Sequence, residues 1–236
     1  MIGTGINVMA ILLGGGVGLV AGRRVPAWFA RVATAVIGLL TLVLGIKLAL
    51  VSENLLLLLF ALLVGGAVGT GVDVEGRLSR LGGLIERRWP AAGRGSIPQG
   101  FVTASLLFCV GPVAILGALR DGLFGEWQLL ALKSVLDGVS SIILVVGLGP
   151  GVFFAAVAVL IYQGGISLIA RAAVTAASVT SISQSPMLRE LDAVGGVVLI
   201  VLALKLLEVK DLKPGNLLPA LALAPLFVVL WRLIGG

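Results

Sequence analysis

The sequence predicts an all-α, polytopic transmembrane helix bundle of about eight spans. Hydrophobic residues fill 59% of the 236 positions and charged residues only 12%, about half the ~25% charged content of a soluble domain. Apolar stretches recur at the ~20-residue length that a bilayer-spanning helix requires. Basic residues gather in short connecting segments, as the positive-inside rule demands of a membrane protein. The 34 glycines are about twice the usual ~7% share. In a bilayer, small residues let helix backbones approach closely and so replace the hydrophobic drive that lipid removes.

The expected spans cover approximately 3–22, 32–51, 54–72, 100–120, 127–148, 150–170, 190–209 and 216–234. The first has no Lys or Arg ahead of it and so lacks the basic n-region of a cleavable signal peptide. Arg23, Arg24 and Arg31 follow it, which favours an uncleaved helix with its N-terminus outside. Arg77, Arg80, Arg87, Arg88 and Arg94, then Lys210 and Lys213, fall on the cytoplasmic side in that orientation. The opposite side receives chiefly Arg120, Arg171, Arg189 and Arg232. Eight spans return the C-terminus to the outside. The net charge of +6 is accounted for by this asymmetry, and no nucleic-acid partner is expected.

Between the third and fourth spans, Val74, Leu78, Leu81, Ile85 and Trp89 recur at helical spacing within 73–99. Arg77, Arg80, Glu86 and Arg87 lie largely off that stripe. The pattern predicts an amphipathic helix on the cytoplasmic leaflet with Trp89 at headgroup level, against the alternative of a solvated loop.

An internal repeat organises the rest. "AVIGLLTLVLGIKLALV" from Ala35 aligns without gaps to "AVGGVVLIVLALKLLEV" from Ala193, matching Gly38 with Gly196 and Lys47 with Lys205. "GGVGLVAGR" from Gly15 resembles "GGISLIAR" from Gly164. Five spans separate the partners, an odd number, so the copies are expected in opposite orientations, a recurrent transporter design. The single transmembrane domain 1–236 then divides into a first repeat (1–72), the amphipathic segment (73–99), a central polar hairpin (100–148) and a second repeat (150–236).

That hairpin carries the richest chemistry. On the fifth span Lys133, Ser134, Asp137 and Ser141 share one helical face, with Ser140 beside it. A charge inside the bilayer costs at least ~2.5–3.5 kcal/mol, so Lys133 and Asp137 at i and i+4 are either a structural ion pair or a binding site in a wet cavity. On the fourth span Gly111-Pro112 would interrupt the hydrogen-bond ladder, as a plain kink or as the broken helix of a transporter site. Gln163 on the sixth span and Asn7 on the first complete the polar set, with interhelical glue as their alternative role. Asp137 is expected to bind a proton, cation or solute, with Lys133, Ser134, Ser141, Gln163, Asn7, Gly111 and Pro112 around it. Lys47 and Lys205, near the span ends, are expected to snorkel.

Gly14, Gly18 and Gly22, and then Gly65 and Gly69, give GxxxG steps, for packing within the chain or across a homodimer. The chain has no histidine and one cysteine, Cys109, expected to be a small packing residue. There is no metal motif, nucleophile elbow or P-loop, so neither an enzyme nor a cofactor is expected.

The motifs "ASLLFCVG…AILGALRDG", "KSVLDG" and "YQGG", with the opening "GTGINVMAILLGGGVGLVAGRR", resemble the bacterial integral-membrane family typified by YqgA and YdfK. The likeness extends over nearly the whole chain. It implies a multi-pass protein of the bacterial cytoplasmic (inner) membrane, in a family of unknown function whose members at most carry the loose label of transporter. The leading expectation is a small-solute or ion permease with its site between spans 4, 5, 6 and 1. The alternative is a non-transporting scaffold or lipid-associated regulator in which Lys133–Asp137 is structural.

Overall fold

A computed structural model describes residues 1–22, 26–88, 96–109, 112–173 and 186–233. All regular structure among the described residues is helical: α1 (Ile2–Gly22), α2 (Ala27–Ala49), α3 (Leu55–Val72), α4 (Val74–Arg88), α5 (Ile97–Cys109), α6 (Pro112–Phe124), α7 (Gln128–Leu148), α8 (Ala155–Ala173), α9 (Pro186–Leu206) and α10 (Leu218–Leu233), with short 3₁₀ segments at Pro150–Phe154 and Pro214–Leu217. Among the described residues, six helices are long and apolar enough to cross a membrane, seven if the bent α5–α6 pair is one span. Helix α9 has 21 residues, but Arg189, Glu190 and Asp192 crowd its first turns.

Two compact units divide the chain, Met1–Ile37 with Leu78–Val179, and Gly38–Arg77 with Thr180–Gly236. In the first, α1 and α7 run parallel. A Cβ on Gly14 would lie 2.1 Å from the Gly138 carbonyl oxygen, and one on Gly18 2.7 Å from that of Ile142. The GxxxG steps are thus consumed inside the chain, where only glycine permits this approach. Helix α8 returns antiparallel to α1, with Gly164 beside Met1 and Thr4, and Gly15 against Phe153. Gly149 makes the turn out of α7 at φ 90°, a conformation that side chains resist.

Helices α5 and α6 are bent by 64°. Each has 13 residues, about 20 Å at ~1.5 Å per residue, which is too short to cross ~30 Å of hydrocarbon alone. The start of α5 packs on the α7–α8 turn, since a Cβ on Gly151 would meet Ile97 at 2.2 Å. The end of α6 reaches the start of α1, where Asp121 accepts from the Met1 amine at 3.1 Å and from Gly3 N–H at 3.1 Å. The pair therefore traverses this unit once, interrupted midway, where Pro112 occupies the first position of α6 as proline prefers.

The second unit is built from α2, α3, α9 and α10 around Leu58, Ala61, Ala193, Val194, Ala220 and Ala224. Helices α2 and α9 run antiparallel. Gly38 meets Leu206 and Leu207, while Gly196 meets Leu48 and Ala49. In α3, Gly65 abuts Ala220 and Gly69 abuts the Asn216 carbonyl.

Buried polar side chains anchor both ends of this unit. Glu190 accepts from Ser52 Oγ at 2.8 Å, Glu53 N–H at 2.9 Å and Asn54 N–H at 3.2 Å, while Asn54 caps α3 through Leu56 and Leu57. Glu190→Ala is expected to lower stability by about 1–3 kcal/mol, because these donors lose their acceptor; denaturant melts in detergent check it. At the other end Glu75 accepts from Lys205 at 2.6 Å and from Gly215 N–H at 2.8 Å. The snorkelling expectation is corrected for Lys205, since the buried Glu75 carboxylate holds its ammonium.

Val74–Arg88 forms the helix that the spacing predicts, with Leu81 and Leu84 exposed. Trp89, Arg94, Arg23, Arg24 and Gly111 lie outside the described residues.

Candidate functional site

Helix α7 turns its polar stripe inward and leaves Leu132, Val135, Leu136 and Val139 exposed, the inverse of a helix in water. Lys133 and Asp137 are 8% and 6% exposed, Asn7 and Gln163 not at all. Helical spacing sets the first contact: Lys133 Nζ, one turn before Asp137, donates to Asp137 Oδ2. The parallel packing of α1 then delivers Asn7, whose Nδ2 donates to the same Oδ2 at 3.0 Å and to Gln163 Oε1 of α8 at 3.2 Å. Three helices thus meet in one hydrogen-bonded cluster.

Broken-helix residues border the cluster. The Phe108 ring centroid lies 5.9 Å from Lys133 Nζ, within cation–π reach. The ammonium therefore sits near the C-terminal end of α5, where the helix dipole presents partial negative charge.

Of the expected residues, Asn7, Lys133, Asp137 and Gln163 are brought together. Ser134 Oγ instead donates to the Leu130 carbonyl of its own helix at 2.6 Å, a local bond that ties it to the backbone. Ser141 is fully buried one turn beyond Asp137, and its Oγ has no hydrogen-bond partner among the described residues. Pro112 opens α6 beside the break.

Several buried polar residues escaped the sequence reading. Thr4 lies one turn before Asn7 on the same face of α1, buried and with Oγ1 unpaired among the described residues; the i, i+3 spacing was the available signal. Ser167 of α8 donates to the Ala118 carbonyl at 2.9 Å, fixing α8 to α6. Asp121 is likewise buried, against the start of α1.

Comparison with known proteins places this arrangement in a family. The uncharacterized membrane protein YdfK of Bacillus subtilis (strain 168) is 27% identical over 241 aligned residues, covering 100% of this chain and 99% of its own length. The uncharacterized protein YqgA of Escherichia coli (strain K12) is 29% identical over 237, covering 98% and 97%. No solved structure matches this chain. The family model described as protein of unknown function (DUF554) matches residues 2–229, and this membrane protein belongs to that family.

Proposed function

We propose that this protein is a permease for a small solute or ion in the bacterial cytoplasmic membrane, with its site at the Asn7–Lys133–Asp137–Gln163 cluster. The carrying observation is that a buried charge pair, two amides and an interrupted helix converge from α1, α7, α8 and α5–α6. A helix bundle needing only cohesion has a cheaper solution, since apolar residues of similar volume replace a buried ion pair at no loss and often with a gain in stability.

The inverted repeat is part of this proposal, and two sets of contacts support it. In the register that pairs Gly38 with Gly196, Ala49 corresponds to Leu207. Gly38 touches Leu207, and Ala49 touches Gly196. In the register that pairs Gly15 with Gly164, Thr4 corresponds to Phe153. Gly15 touches Phe153, and Thr4 lies at the edge of contact with Gly164, behind Met1. Reciprocal contacts of this kind are what a two-fold relation produces, and the paired helices run antiparallel, as inversion requires. With α9 crossing, the topology is eight spans with both termini outside, and α4 lies on the cytoplasmic leaflet. Because the GxxxG glycines are used within the chain, the proposed working unit is one chain, and its task involves no bond chemistry.

One observation favours the second reading, a non-transporting scaffold: the α1–α7 seam beside the pair is packed backbone to backbone. A charge swap separates the two. In proteoliposomes screened with ions and small solutes, Asp137→Asn is expected to abolish flux, and Lys133→Asp with Asp137→Lys not to restore it. Flux untouched by Asp137→Asn would remove Asp137 from the site. Recovery in the swap would make the pair structural.

A further inference from the structure

The proposed site does not say what it binds, but its unused hydrogen-bonding atoms do. Asp137, as a carboxylate, only accepts, so Asn7 must turn Nδ2 toward it. That same Nδ2 reaches Gln163, which must therefore present Oε1. Both amide orientations are fixed by the charge on Asp137. What remains is one acceptor, Asn7 Oδ1, and one donor, Gln163 Nε2, each fully buried and without a hydrogen-bond partner among the described residues. Thr4 Oγ1 and Ser141 Oγ, which can act either way, are buried on α1 and α7 and unpaired among the described residues.

The charge of the cluster is already balanced. Lys133 occupies Asp137 Oδ2 together with Asn7, so an added cation would put a second positive charge on one carboxylate. An added anion would face that carboxylate across the same cluster. Either would bring an uncompensated charge into the apolar interior, which is strongly unfavourable. An ion would also satisfy only one kind of unpaired atom: a cation the Asn7 oxygen, an anion the Gln163 amide.

We infer that the site takes a small uncharged molecule that both donates and accepts hydrogen bonds, seated between Asn7 Oδ1 and Gln163 Nε2, with water as the smallest member of the class. This rests on the permease reading above and names its substrate class. Lys133 and Asp137 act as positioning residues, holding the amides with their free atoms turned away from the pair.

The test uses purified full-length protein in proteoliposomes, with water, urea and glycerol as uncharged probes and Na⁺, K⁺ and Cl⁻ as charged ones. Uncharged flux above protein-free vesicles is expected, falling about tenfold in Gln163→Met, the scale of one lost hydrogen bond. That substitution conserves volume, and the unpaired Nε2 donor it removes offsets the Oε1 acceptor lost to Asn7, so its melting temperature is expected to stay close to wild type. Ion flux with uncharged probes at background overturns the inference and leaves the permease reading standing; no flux of any probe overturns both. A Gln163→Met protein that keeps its flux, or melts well below wild type, makes the amide structural and overturns the inference alone.

Discussion

Asp137→Ala is expected to destabilise the protein by about 3–5 kcal/mol, the cost of leaving one member of a buried ion pair without its partner. Total stabilities are only ~5–15 kcal/mol, so a large part of the folded population would be lost. Two effects combine. Lys133 keeps the Phe108 ring nearby but loses the only carboxylate the described residues bring to its ammonium. Asn7 Nδ2 retains Gln163 Oε1 alone. Replacing both charges, Lys133→Leu with Asp137→Leu, is expected to recover the whole loss or more, since apolar pairs of similar volume satisfy such a position. Thermal or denaturant melts in detergent check the pair of results. Asp137→Ala melting within ~1 kcal/mol of wild type would mean that the ion pair is solvated.

Gly14→Val is expected to be as damaging by a different route. The new Cβ would stand 2.1 Å from the Gly138 carbonyl oxygen, and a carbonyl in a helix ladder has no side-chain freedom to yield. Helix α1 must move away from α7, and Asn7, two turns earlier, is pulled from Asp137. Overpacking ordinarily costs ~1–3 kcal/mol; here backbone is the obstacle and a bond to the site is lost with it, so the upper end or beyond is expected. Gly16→Val supplies the control on the same helix, because nothing lies within 4 Å of its Cβ position, and its effect is expected within ~0.5 kcal/mol of zero. Melts of the two variants side by side check both. Equal effects would mean that α1 and α7 are not packed in this register.

The parts of the fold and site that were legible in the sequence share one cause: lipid makes polar atoms costly, so each one inside a span is conspicuous. Lys133, Asp137, Asn7 and Gln163 were found that way, and the three helices that carry them meet. The helical stripe also predicted which face of α7 turns inward. The sequence did not reveal that Asn7 rather than Ser134 bonds Asp137, because Ser134 has a nearer acceptor in its own backbone. Glu75 and Glu190 were hidden because a carboxylate near a span end is indistinguishable, in one dimension, from one facing water. Only the approach of Lys205 to Glu75, and of the Ser52–Asn54 turn to Glu190, makes them internal. Thr4 was passed over because a hydroxyl in a helix can satisfy itself locally, and here it does not.

The central claim is that the buried pair serves a site rather than cohesion. The most direct measurement is flux in proteoliposomes of the Lys133→Leu/Asp137→Leu protein beside wild type, each matched for reconstituted and folded protein. The double variant is predicted to melt at or above wild type while its flux falls to that of protein-free vesicles. A double variant that transports as wild type does would contradict the claim, and the lysine and aspartate of α7 would then be nothing more than part of the bundle's framework.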